Sequence, residues 1–162
     1  MERPPLLILE SPKEYRQYYE KHYCRGEIYT FDNIRVFFSS TKFGHAFYEN
    51  SAGRKGAKDS FSDRRAQRMS WVAPTLENPD AELFVGWNKD QRCYQNDRRV
   101  SVVYEDFVVI IQVSLDKRVE NKLKANFVTC YTAEKRSMGK IRKSPLWDRG
   151  KCLEYLGGKD CR

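Results

Sequence analysis

The sequence predicts an α+β domain in which N-terminal helices pack on one face of an antiparallel sheet of about four strands. Three observations lead there. Helix caps and helical spacing of apolar residues concentrate before residue 80. From residue 82 onward, runs rich in Val, Ile, Phe and Tyr alternate with short polar turns, the pattern of a meander. The 162 residues are enough for one hydrophobic core and short for two. The expected layout is a single domain, 1–162, with a helical part over about 1–80, the sheet over about 82–133, and a basic turn with a short C-terminal helix over 135–162.

The first element is "SPKEYRQYYEKHYC", where Ser11 is a good N-cap, Pro12 suits the first turn and Gly26 ends the helix. Tyr15, Tyr18, Tyr19 and Tyr23 give it a packing face. "EIYTFDNIRVFF" reads as a small hairpin turning at Asp32 and Asn33, which tolerate turn geometry. A short helix capped by Thr41 follows, with Phe43 and Phe47 directed to the core. "GRKGAKDS", from Gly53 to Ser60, has two glycines, three cations and no periodicity, and reads as an exposed, mobile loop of the kind that carries function. Ser62 caps the next helix, "SDRRAQRMSWVAPTLENP", with Phe61 and Ala66 at staple positions and Ala66, Met69 and Ala73 in one apolar stripe. Pro74 is expected to kink or break it.

Four strands then follow: "ELFVGWN", "RRVSVVYE", "DFVVIIQVSL" and "KLKANFVTCYTA". Phe107–Val113 is apolar on both faces and is the expected central strand. "SMGKIRKSPLWDRG" reads as a basic turn leading into a short helix at Ser144 and Pro145.

Net charge is +8, and residues 82–162 carry 17 of the 30 cations against half of the 22 acids. Such a field favours an anionic partner, nucleic acid being the commonest. The longest apolar run is far short of a membrane span, and the prolines and charges near Met1 interrupt what a signal peptide needs, so a cytoplasmic protein that does not enter the membrane is expected. The five cysteines show no metal-ligand spacing. No phosphate-binding glycine loop, zinc-protease, serine-hydrolase or dinucleotide motif occurs, and the acids form no close set for a two-metal nuclease. No cofactor is expected.

Three stretches could carry chemistry. His45, one of two histidines, would share a helical face with Lys42 and Glu49, with Glu49 favouring the imidazolium and Lys42 opposing it. Residue type alone leaves a structural and a catalytic histidine both open. Strand alternation places Val128 and Cys130 on one face and Phe127, Thr129 and Tyr131 on the other, so the Thr129 and Tyr131 hydroxyls would lie side by side, either binding phosphate or serving only as strand formers. Lys135, Arg136, Lys140, Arg142 and Lys143 fall within nine residues and suit a polyanion backbone or a solvated surface.

In order, "FGHAFYE", "DSFSDRRAQRMSWV", "LENPDAELFVGW", "RRVSVVYEDFVVII" and "NFVTCYTAEKRSMGKIRKSPLW" resemble the phage and bacterial nucleases of the barnase, EndoU, colicin E5/D and RelE-like group, over roughly residues 28–148. The resemblance implies metal-independent endoribonuclease activity: attack by the 2′-hydroxyl, general acid and base groups, and cations on the phosphate. By position it implies catalytic roles for His45, Thr129 and Tyr131, and RNA or phosphate binding by Arg65, Arg68, Lys140 and Arg142, beside which Lys58 of the glycine-containing loop and Lys143 of the basic run are further phosphate-binding candidates. RNA is the implied partner, tRNA among the candidates, with an antitoxin or immunity protein as a second. The alternatives are an RNA-binding module without chemistry and an interaction protein that docks an acidic partner.

Overall fold

A computed structural model describes residues 2–50 and 58–157. Arg54 and Lys55 of the glycine-rich loop lie outside the described residues, as does Cys161.

In chain order the elements are α1 (Pro12–Tyr19), β1 (Ile28–Tyr29), β2 (Arg35–Phe37), α2 (Phe43–Ala46), β3 (Tyr48–Glu49), β4 (Ser60–Phe61), α3 (Asp63–Gln67), α4 (Val72–Glu77), β5 (Glu82–Phe84), β6 (Gly86–Asn88), β7 (Cys93–Gln95), β8 (Val100–Tyr104), β9 (Phe107–Leu115), β10 (Leu123–Thr132), α5 (Lys135–Arg142) and α6 (Arg149–Gly157). The α+β class is as the sequence predicts. The sheet is larger: among the described residues it has six strands in the order β1-β2-β10-β9-β8-β5. It is also mixed, because β2 runs parallel to β10, pairing Arg35, Val36 and Phe37 with Lys124, Ala125 and Asn126. The N-terminal part therefore supplies two strands as well as helices.

Local chemistry explains the helix starts. The Ser11 side chain accepts from the Glu14 amide ahead of Pro12, and the Ser62 side chain accepts from the Arg65 amide. After Tyr19 the first helix continues as a π-turn over Glu20–Cys24. The second long helical segment breaks at Arg68, not at Pro74. Arg68 leaves helical geometry, a 3-10 turn spans Met69–Trp71, and Pro74 falls in the first turn of α4, where its missing N–H is not needed. The basic stretch is likewise a helix, α5, and no helix begins at Ser144 and Pro145; the last one starts at Arg149.

Helices cover both faces of the sheet rather than one. The larger core joins α1, α2, α3, α4 and α6 to the side chains of Val100, Val102, Phe107, Val109, Ile111 and Phe127. Its centre is aromatic: Tyr19 meets Tyr23, Phe38, Phe43, Phe47 and Phe127 at ring-centroid distances of 5.7–6.4 Å. Such offset and edge contacts each add about 0.5–1.5 kcal/mol beyond burial. On the opposite face Met138 and Ile141 of α5 pack on Phe84, Val103, Val108 and Ile110. The central strand is β9, flanked by β10 and β8, as its two apolar faces require.

The buried tyrosines meet their hydroxyl requirements across elements. Tyr23 donates to the Met69 carbonyl at 2.5 Å and accepts from the Ala73 amide at 3.3 Å, tying the first helical segment to the break before α4. Tyr23→Phe leaves both backbone groups without that partner and is expected to lower stability by about 1–3 kcal/mol, read as a lower urea midpoint with an unchanged slope.

Two irregularities shape the surface. A bulge at Val128 shifts the β10 register between Phe127 and Thr129. Phe127 consequently packs in the larger core beside Cys130, while Val128 and Tyr131 pack on the α5 side. The expected grouping of Val128 with Cys130, and of Phe127 with Thr129 and Tyr131, is corrected by this extra residue. The second irregularity lies at Val85. "ELFVGWN" does not stay in one sheet: β5 pairs with β8, whereas β6 leaves to form a separate hairpin with β7.

Candidate functional site

His45 stands on the one-turn helix α2, which packs Phe43 and Ala46 into the core and leaves the imidazole exposed. The helix ends there, with the Phe47 amide bonded to the Phe43 carbonyl. Glu49 therefore does not lie one helical turn beyond His45. It belongs to β3, accepts a hydrogen bond from Ser62 Oγ and pairs with Arg65 Nε at 3.4 Å. The groups that bear on the imidazole are cationic. Partial burial lowers its pKa below the ordinary histidine value, and Lys58, Lys42, Arg99 and Arg65 lower it further. The balance expected between Glu49 and Lys42 thus goes to the cations, and His45 is held neutral at neutral pH.

Lys58 Nζ bonds the His45 carbonyl oxygen, and Arg65 Nη1 reaches the Ala46 carbonyl at 3.4 Å. Both cations are thereby fixed to the backbone of α2. Burial and the neighbouring Arg65 lower the Lys58 pKa. Arg65, Arg64 and Arg68 of the α3 segment, together with Tyr131, Thr132 and Phe107, line a depression of about 120 Å³ whose one carboxylate, Glu49, is engaged by Ser62 and Arg65. Thr132 Oγ1 is buried and has no hydrogen-bond partner among the described residues. Three guanidinium groups and one neutralised carboxylate form a cradle suited to a phosphate, the Thr132 hydroxyl being as buried as that of Thr129.

Tyr131 separates this cradle from a second depression of about 250 Å³, whose lining includes Arg99, Lys140, Ser101 and Trp87. Burial raises the Tyr131 pKa, with Arg99 and Arg65 acting against that rise, so the phenol is protonated at neutral pH. Arg99 and Arg65 also act on His45. His45 and Lys58 line neither depression; what they share with Tyr131 is the charge of Arg65 and Arg99, which acts on all three.

The other sequence candidates are divided as well. Thr129 is only 6 % exposed and its Oγ1 is buried without a partner among the described residues, so its hydroxyl does not stand beside that of Tyr131 on an open surface. Arg142 pairs with Glu82 at 2.5 Å, and neither it nor Lys143 lines either depression, whereas Lys140 does. Arg68 lines the first depression and lays its guanidinium over Trp71 at 5.2 Å. The second histidine, His22, packs on Tyr18. Cys130 lies close enough to feel Arg65 and Lys58, but complete burial pushes its thiol up to about 12, which removes it as a nucleophile.

Sequence reasoning missed Arg99, Arg64 and Thr132. Arg99 has φ 52°, a left-handed conformation that costs a non-glycine residue about 1 kcal/mol or more. Nothing in "DRRVS" marks that backbone in advance. Thr132 was recognisable only as the residue after Tyr131, at a strand end over which α3 turns out to lie.

No protein-family model, curated protein or solved structure matches this chain.

Proposed function

We propose that the surface around α2, α3 and the end of β10 cleaves RNA by attack of a ribose 2′-hydroxyl on the adjacent phosphate. The observation that carries this reading is the depression in which Arg64, Arg65 and Arg68 converge beside Tyr131, with the charges of Arg65 and Arg99 acting on both Tyr131 and the exposed His45. His45 takes the 2′-proton as the 2′-oxygen bonds to phosphorus. Tyr131 gives its proton to the departing 5′-oxygen, and the P–O5′ bond breaks to leave a 2′,3′-cyclic phosphate. An alkoxide leaving group is more basic than a phenolate, so the transfer is downhill even from a phenol of raised pKa. The phenolate left behind faces Arg99 and Arg65. Arg64, Arg65 and Arg68 hold the phosphate and stabilise the charge gathered on its oxygens. Lys58 keeps His45 unprotonated, and Lys140 extends the cationic track toward flanking phosphates. Any exposed single-stranded segment fits this arrangement, tRNA loops included.

The test is incubation of purified protein with total RNA and with DNA of matched length, both in EDTA. RNA alone should be cut, and less efficiently as salt rises, because each phosphate contact releases a counterion. Cleavage of DNA at a comparable rate would overturn the reading.

The histidine also sets a pH dependence. A base whose pKa lies below the ordinary imidazole value of about 6.5 stays active to lower pH, so the acid limb of kcat/KM should fall below that value. Lys58→Ala removes the largest of the opposing cations and should move the limb upward. The folded state binds fewer protons at His45 than the unfolded chain does. This group therefore costs no stability above about pH 6.5 and some stability as pH falls below it.

A further inference from the structure

Beyond Tyr131 the second depression is walled by an exposed aromatic hairpin. Trp87 of β6 and Tyr94 of β7 are direct cross-strand partners with ring centroids 5.0 Å apart at 72°, and they are 48 % and 46 % exposed. A cross-strand aromatic pair stabilises a hairpin, but that alone does not require so much indole to face water among cations. Trp87 borders two adjoining hollows, the one containing Tyr131 and another of about 440 Å³. Lys89, Arg98, Arg99 and Lys140 line one or both, against the single carboxylate of Asp90.

The hairpin is held in place at its root, and its turn is closed by its own side chains. At its root, a Cβ on Gly86 would come 1.9 Å from the Arg98 carbonyl oxygen, so the strand rests directly on the backbone that presents Arg99. At its tip, Asn88 Oδ1 accepts from the amides of Asp90 and Gln91 while its Nδ2 donates to Gln95. Gln95, which faces Gly86 at the root, donates to the Tyr155 hydroxyl on α6 at 2.8 Å. An immobilised, half-exposed indole beside a cationic groove is the arrangement on which an unpaired base stacks, a contact commonly contributing about 1–3 kcal/mol per base.

We propose that Trp87 is the stacking platform for the base of the nucleotide immediately 3′ of the cleaved bond, which makes single-stranded RNA the substrate. The side is assigned by the mechanism above: Tyr131 protonates the departing 5′-oxygen, and Trp87 lies on the Arg99–Lys140 side of Tyr131, away from the arginine cradle. The inference rests on that reading for the position of the base but not for the stacking itself.

Two measurements separate them. The first compares kcat/KM for short RNAs carrying either a base or an abasic ribose directly 3′ of the cut, using wild type, Trp87→Ala and Trp87→Phe. Wild type should favour the base by about 5- to 150-fold, Trp87→Ala should lose that preference, and Trp87→Phe should keep most of it. The second follows tryptophan fluorescence as an uncleavable 2′-O-methyl oligonucleotide is added; the quenching should be present in wild type and absent in Trp87→Phe. Cleavage with an unchanged base preference in Trp87→Ala, and quenching that persists in Trp87→Phe, would overturn the platform while leaving the nuclease intact. Quenching at Trp87 without cleavage of any RNA would overturn the nuclease while leaving the stacking surface.

Discussion

Replacing His45 by alanine should lower RNA cleavage by about 10²- to 10⁴-fold, the usual contribution of a positioned base, while RNA binding in the uncleavable 2′-O-methyl form changes little. The side chain is exposed on α2, and the core contacts of that helix are made by Phe43, Ala46 and Phe47, so the fold should be unaffected within about 0.5 kcal/mol. The residual activity of the variant should also lose the acid limb assigned to the imidazole. A His45→Ala protein that cuts RNA at the wild-type rate would remove the histidine from the mechanism, and equal loss of cleavage and binding would make it a binding residue instead.

Arg99→Gly carries the second large effect, with a sign that separates function from folding. Arg99 sits at φ 52°, where glycine is at ease. The substitution relieves the backbone and loosens the unfolded chain by comparable amounts, so stability should stay within about 1 kcal/mol of wild type. Activity should nevertheless fall by roughly 10²- to 10³-fold, the range seen when one group that stabilises transition-state charge is removed. Arg99→Lys should recover part of the rate, because a point charge replaces the guanidinium without its fork. If Arg99→Gly unfolded the protein, or left cleavage unchanged, the arginine would have a structural role rather than the one proposed.

What the sequence revealed follows from how local each signal is. Ser11–Pro12, Ser62 and the Asp32–Asn33 turn are decided within three or four residues and form as expected, with Asn33 at φ 69°. The apolar run from Phe107 identified the central strand by the same local logic. The parallel pairing of β2 with β10 joins a three-residue strand to residues about ninety positions later, and no pattern within either segment announces it. β6 leaves the main sheet where Gly86 lies against the Arg98 carbonyl, and Phe127 is regrouped with Cys130 by one extra residue at Val128, neither of which is written in a local pattern. The candidate site shows the same division. Arg65, Arg68, Tyr131 and Lys140 line the two depressions, whereas His45 and Lys58 line neither and are linked to them only through the charges of Arg65 and Arg99. Thr129 is withdrawn by burial, and Arg142 is taken by Glu82. Arg99 and Thr132 enter through backbone geometry and helix placement, which composition does not encode.

The central claim is that the nucleophile is the substrate's own 2′-hydroxyl. The most direct measurement uses a DNA oligonucleotide containing one ribonucleotide, incubated with the wild-type protein in EDTA and analysed by mass for its new ends. The account predicts a single cut on the 3′ side of that ribose, leaving a 2′,3′-cyclic phosphate on one fragment and a free 5′-hydroxyl on the other. A 5′-phosphate end, or cutting at the deoxyribose positions, would contradict it.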